Sequence, residues 1–330
     1  MKSINNHISW VIIFLLGYNC NTVSLKAFEK IGVTSFQFLK VMPDARATAL
    51  GEAYSSVASG AEGLYWNPAA LITTEKFSLN FSRVNYIFDT AHNGVAGAYR
   101  WRQFAFGVVL LNADYGTIAV TDVAHLGYRD DGTYNPGLTG ESIHPGALVV
   151  GCGLAQRLTD KFTYGLTMKY ATENMALGDS TVIGIPLWDL GILYETGFRS
   201  IRLAATMRNF GPPVKYFDYA YPLPQTMNIG ISANLWGPAA AILGVSSYHR
   251  LLVAFDLIQP RDYDQQYGIG VEYTFRNVVA LRGGYKLNYD CEGLTFGAGL
   301  CLKGVSVDYS FNDYGEYLDS VHRFTIGFTR

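Results

Sequence analysis

The chain has 330 residues, of which 16% are charged, and its formal net charge is −2 at pH 7. A charged share this far below the roughly 25% of soluble domains, with no basic excess, argues against a conventional cytosolic protein and against a nucleic-acid partner. The 35 glycines and the 14% aromatic content point instead to many strands in apolar surroundings.

Residues 1–27 read as a signal peptide. Lys2 supplies a positive start, and Ile8–Leu16 form an apolar run far shorter than the roughly 20 residues of a spanning helix. The cut falls near Ser24 or Ala27. Cys20 follows Gly17-Tyr18-Asn19, which lacks the small residues expected before a lipidated cysteine. The other three cysteines, Cys152, Cys291 and Cys301, are expected to be free thiols. Cys291 and Cys301 bracket one extended strand, about 30 Å at roughly 3.3 Å per residue, beyond disulfide reach.

Residues 28–75 are the next unit, expected to form a small hatch. Asp44 can cap a helix, in which Ala47, Leu50, Tyr54 and Val57 follow at helical spacing and Gly60 provides a stop; Arg46 is a further hatch residue. In EGLYWNPAAL, Asn67 reads as an N-cap and Pro68 as the first helical residue, where a missing amide costs nothing. Tyr65 and Trp66 would anchor that corner by burial. The expectation is a plug lodged inside a barrel and folded back from the end where the barrel begins.

From residue 76 to 330 the sequence alternates with period 2. In KFTYGLTMKYAT, Phe162, Tyr164, Leu166, Met168 and Tyr170 share one face, opposite Thr163, Gly165, Thr167 and Lys169. Such runs predict an all-β fold: an antiparallel transmembrane barrel of about 14 strands, the first at 76–83, the sixth at 187–198 and the last at 321–329. A soluble sandwich would set Lys, Glu and Asp against its apolar face. Here the second face is mostly Gly, Thr, Ser, Asn and Ala, as when bulky residues meet lipid and small ones line a bore. Tight turns at Arg102-Gln103, Thr159-Asp160, Arg199-Ser200, Arg276-Asn277 and Lys303-Gly304 alternate with longer loops at 114–145, 173–186 and 210–224. That asymmetry places the short turns and both termini on the periplasmic side of the outer membrane of a Gram-negative-type bacterium. The apolar loop 236–247 breaks the pattern and is expected to dip into the membrane interface.

Few side chains suggest chemistry. The six histidines show no metal spacing, Gly151-Cys152-Gly153 lacks the third glycine of a dinucleotide loop, and no nucleophile–base set can be assembled. Neither an enzyme nor a cofactor is expected. Asp130-Asp131-Gly132 reads as a solvated turn, and Asp262 with Asp264 around Arg261 as a surface ion cluster. Glu272, Arg282, Asp308 and Arg323 fall on small-residue faces of strands. They form a candidate lumen network holding the hatch, since unpaired charge near a membrane is costly.

The stretch FLKVMPDARATALGEAYSSVASGAEGLYWNPAAL resembles the N-terminal signature of the PorV/PorQ family, related to FadL-type fatty-acid channels. RNFGPPVKYFDYAYPLPQTMNIG, DLIQPRDYDQQYGIGVEYTF, VVALRGGYKLNYDCEGLTFGAGL and SVHRFTIGF extend the resemblance over residues 36–330. Glu62 stands where that family more usually has Asp. The resemblance implies a fourteen-strand barrel with an N-terminal hatch that serves type IX-like protein secretion, binding exported proteins or secretion-system components at its long loops. The alternative it implies is a FadL-like passive channel for hydrophobic small molecules. In either case outer-membrane lipid is the surrounding partner.

Overall fold

The computed structural model describes residues 32–176, 182–216, 218–315 and 318–330. The expected signal peptide, Cys20 and hatch residues 28–31 lie outside the described residues. Fourteen strands form the wall. The first seven are β1 Phe77–Asn85, β2 Ala91–Trp101, β3 Phe104–Asp114, β4 Gly146–Arg157, β5 Phe162–Asn174, β6 Val182–Glu195 and β7 Arg202–Phe210. The second seven are β8 Thr226–Gly237, β9 His249–Pro260, β10 Gln266–Phe275, β11 Val279–Leu287, β12 Leu294–Leu302, β13 Val305–Asn312 and β14 Val321–Thr329.

Each strand runs antiparallel to its neighbours, and β14 pairs back onto β1 from Ser78↔Thr329 to Asn85↔His322. This closure leaves no edge, which a bilayer requires because it offers the backbone no water. The side-chain period of 2 then sorts the residues into two surroundings. On β5, Thr163 and Thr167 face inward at 5% and 0% exposure, while Tyr164, Met168 and Tyr170 face outward at 41%, 50% and 54%. Phe77, Tyr99, Trp101 and Phe328 also stand outward, all close to the short-turn end. The exterior is that of an outer-membrane barrel, an apolar band with aromatics near its rim.

Several expectations are corrected by the structure. β6 starts at Val182 rather than 187 and ends at Glu195 rather than 198. Residues 182–187, expected in the loop 173–186 and at the strand's start, pair with β5 alone, because β7 joins only at Trp188↔Phe210. A proline on such a free edge, here Pro186, forfeits no ladder bond. The loop 114–145 is not irregular: Ile118–Tyr128 and Tyr134–Ile143 form a separate two-stranded hairpin. Asp130-Asp131-Gly132 is its turn, with Gly132 at φ 80° and the Thr133 amide donating to Asp131 at 2.9 Å. Among the described residues no group of metal-binding side chains occurs. In the apolar loop after β8, Gly244-Val245 pairs in parallel with Trp236-Gly237, and Leu243 and Val245 are exposed. Cys152, Cys291 and Cys301 are free and exposed.

The predicted helix from Asp44 to Gly60 is the largest correction. Only Ala45–Ala49 is α-helical, and we call it α1. Asp44 does cap it, accepting the Arg46 amide at 2.9 Å. The chain then turns at Gly51 and Glu52, both at φ 62°, so Leu50, Tyr54 and Val57 do not share a helix. The cause is the narrowness of the bore. Built on Gly284, a Cβ would come within 2.2 Å of the Gly51 nitrogen, and on Gly270 within 2.5 Å of the Leu50 carbonyl oxygen. The backbone lies directly on the wall, where a continuous helix with its side chains would not fit. Gly63–Trp66 forms a single α-turn, α2, followed by a 3-10 helix at Pro68–Thr73.

The hatch also runs farther than a plug rooted at the short-turn end. Its residues 60–76 lie near that end, where the Ala61 amide donates to Ser78 at 3.2 Å. Its first described residues lie at the opposite, long-loop end, where the Ser35 amide donates to the Pro222 carbonyl at 2.9 Å.

Candidate functional site

The bore is filled by hatch side chains seated on small wall residues. Leu50, Tyr54, Leu64, Tyr65, Trp66 and Leu71 form one buried cluster with Ala96, Ala98, Ala105, Ala155 and Ala254 of the wall. Tyr54 and Trp66 meet edge-to-face at 5.8 Å, and the guanidinium of Arg208 lies over Trp66 at 5.0 Å. The small inward residues therefore make room for protein as well as for water.

Asn67 and Pro68 form the tightest seat. The Asn67 carbonyl oxygen caps the Ala69 amide at 3.0 Å, and its amide nitrogen donates to the Ser55 carbonyl at 2.8 Å and the Ile192 carbonyl of β6 at 3.1 Å. One side chain thus joins two turns of the hatch to the wall. A Cβ on Gly191 would lie 2.1 Å from that Asn67 oxygen, and one on Gly165 would lie 2.4 Å from the Pro68 carbonyl carbon. Only glycine fits at either place.

A charged chain crosses the same interface. Glu272 on β10 accepts from Arg46 of α1 at 2.8 and 2.9 Å and from Arg282 on β11 at 2.7 Å. Arg282 also donates to Asp308 on β13 at 2.6 Å. Arg46 further contacts Glu62 at 3.9 Å and Tyr54 at 3.2 Å, and the Tyr54 hydroxyl donates to Glu62. Arg323 on β14 stands outside this chain. It donates to the Met42 carbonyl at 3.1 Å and to Asn312 at 2.6 Å, holding the hatch by its backbone.

The same parity on the strands picks out inward charges that the sequence reading passed over. Lys169 on β5 pairs with Asp189 on β6, and Asp256 on β9 accepts the Ser55 amide at 2.9 Å. Lys286 on β11 bridges Glu52 of the hatch, at 2.6 Å, and Glu292.

Asp262 is likewise not part of a surface cluster. It is buried and accepts from Thr34 and Lys40, each at 2.6 Å, so it anchors the start of the hatch at the long-loop end. Burial alone would push its carboxyl up. The hydrogen bonds from Lys40 and Thr34 and the Lys40 charge outweigh that and hold it below the ordinary Asp value.

The anchored segment divides the mouth. On one side a cavity of about 390 Å³ is walled by Phe38, Val41, Tyr86, Ile87, Phe88 and Tyr115. On the other, a polar chamber of about 180 Å³ is lined by Met42, Glu52, Arg208, Tyr263, Tyr289 and Glu292. Lys40 borders both. The outer cavity has the size and apolar character of a small-molecule site.

Fold and site together define a class: a closed outer-membrane β-barrel occupied by its own N-terminal segment. No protein-family model and no curated protein matches the chain. Solved structures do match. The toluene transporter TbuX of Ralstonia pickettii aligns with a TM-score of 0.56 at 14% identity, over 88% of this chain and 98% of that one. The monoaromatic hydrocarbon channel CymD aligns at 0.54 and 12%, over 87% and 97%. A FadL homologue of Pseudomonas aeruginosa aligns at 0.51 and 10%, over 88% and 99%. At these identities the likeness is one of fold.

Proposed function

We propose that the protein is a passive outer-membrane channel for hydrophobic small molecules, shut at rest by its hatch. The observation that carries this reading is the apolar cavity at the long-loop mouth, with the segment anchored at Asp262 lying between it and the inner chamber. An apolar solute gains by leaving water for that cavity, at about 25 cal/mol per Å² of apolar surface buried. Its onward passage needs the hatch to shift, residues 34–42 first; these are held by the polar contacts at Asp262 and by Phe36, Phe38 and Leu39, buried against Val149, Ile185 and Leu187 of the wall. The names of the fold neighbours, two of them hydrocarbon carriers, agree with this choice of solute.

The test is uptake of labelled toluene into proteoliposomes. Rates above protein-free vesicles are expected, with at least a tenfold loss when Ile87→Asp and Phe88→Asp place charge in the cavity wall. Uptake indistinguishable from lipid alone would overturn the proposal.

The secretion-accessory role implied by the PorV/PorQ resemblance is the second reading, and none of the neighbours named above is a secretion component. One feature favours it: the hairpin in 114–145 presents Val123 and Tyr128 at 83% and 80% exposure, a surface suited to protein contact. Cross-linking from that hairpin in whole cells would recover exported proteins on this reading and none on the first.

A further inference from the structure

The bore has a second cavity beneath the hatch, at the short-turn end, with a volume of about 490 Å³. Its charge is unbalanced: Lys161, Arg199, Arg202 and Arg250 line it, against only Asp160 and Glu195. Glu195 is taken by Arg202 at 3.0 Å. Among the described residues, the side chains of Lys161 and Arg199 donate only to backbone carbonyls, those of Thr196 at 3.3 Å and Ala241 at 3.2 Å. Arg250 donates its Nε to Asn234 at 2.9 Å, and among the described residues no carboxylate lies within 4.0 Å of it. The nearest buried carboxylate on the adjoining strand, Glu272, already serves Arg46 and Arg282.

A half-buried guanidinium without a counter-ion is costly, and its remaining N–H donors form a planar fork matched to an oxyanion. Apolar side chains line the same cavity beside the cations, namely Val57 of the hatch, Ile201 and Leu252, together with polar Ser56, Ser232 and Asn234. Unpaired cations and apolar side chains in one cavity fit an amphiphile better than a bare inorganic ion.

We propose that this vestibule is a binding site for an oxyanion carried on an apolar body, with Arg250 as its principal ligand and Arg202 and Lys161 as its flank. The anion comes either from a free amphiphile in the bore or from a lipid head group reaching over the short turns. The site is separate from the mouth cavity and does not depend on which solute enters there.

The experiment is calorimetry on the full-length protein in neutral detergent, with octanoate as probe and octanol and inorganic phosphate as controls. Octanoate is expected to bind at least tenfold tighter than either control, and Arg250→Gln to remove at least tenfold of that affinity. Arg202→Gln, with Arg250 intact, provides a second variant if the first does not fold, as judged by heat-modifiable mobility. Nanodiscs with and without phosphatidylglycerol separate the sources: competition with octanoate only when that lipid is present assigns the site to head groups, and equal octanoate affinity in both assigns it to free amphiphile. Octanoate affinity equal to that of octanol, or unchanged in both variants, would overturn the proposal. Toluene uptake measured on the same preparations reports the channel reading independently.

Discussion

The contact between Arg46 and Glu272 is the most demanding place to test whether the hatch is held by charge. Glu272 accepts three guanidinium hydrogen bonds, of 2.8, 2.9 and 2.7 Å, with its side chain 3% exposed and its partners at 17% and 5%. Glu272→Gln keeps the shape but removes the charge, leaving two buried guanidiniums facing one neutral amide. Breaking a buried pair from one side costs about 3–5 kcal/mol, a loss of between two and four decades in the folding equilibrium at about 1.4 kcal/mol per decade. Arg46→Gln removes one guanidinium but leaves Arg282 to pair with Glu272, so its cost is smaller. In the double variant the two neutral amides can bond each other, so the losses should not add. We expect a coupling energy of about 1.5–3 kcal/mol, within the range for neighbours in one network. The assay is urea unfolding of the four proteins in lipid vesicles, read by tryptophan fluorescence and heat-modifiable mobility. Coupling within about 0.5 kcal/mol of zero, the value for independent sites, would refute the charged lock and leave the hatch held by packing alone.

Other expectations follow from single contacts. Asn67→Ala leaves the Ser55 and Ile192 carbonyls and the Ala69 amide without their partner and should cost about 1–3 kcal/mol, visible in the same unfolding assay. Gly191→Val puts a side chain where the Asn67 oxygen lies, so the hatch should become trypsin-sensitive while the barrel keeps its heat-modifiable mobility. Asp262→Asn should free the start of the hatch, raising the mobility of a nitroxide on Val33→Cys in a background without native cysteines. Because the Asp262 carboxyl is held below its ordinary value, the anchor is fully present above the unfolded Asp value of about 3.9 and is lost as pH falls through the lower folded value. The nitroxide should therefore stay immobile from pH 7 to pH 5 and loosen only in stronger acid. Loosening already at pH 6 would contradict the assignment.

The wall was readable because each strand repeats one physical rule many times. A two-residue period with bulk on one side survives errors of a few residues, so all fourteen strands fall close to their expected places. The start of β6 was missed because a strand portion paired on one side only, as residues 182–187 are, cannot be recognised from one segment. The hatch was readable in its residues but not in its path. Asp44 and Asn67 act as caps, yet the turn at Gly51 and Glu52 is dictated by the distance to Gly270 and Gly284, which lie more than two hundred residues away in the chain. The network around Glu272 followed from parity, and applying the same rule to Lys169, Arg208, Asp256 and Lys286 would have found the remaining inward charges. Asp262 had no such signal. It sits in a loop, and only the fold brings Thr34 and Lys40 to it.

The central claim is that hydrophobic solutes pass only when the hatch moves. Thr48 of α1 and Ser310 of β13 hold their hydroxyl oxygens 2.9 Å apart, close enough for a disulfide once both are cysteine. The direct measurement is toluene uptake by proteoliposomes of the Thr48→Cys, Ser310→Cys protein, free of native cysteines, before and after reduction. The account predicts uptake near the protein-free level when the bond is formed and restored uptake when it is reduced. Equal rates in the two states would show that the hatch does not gate the bore.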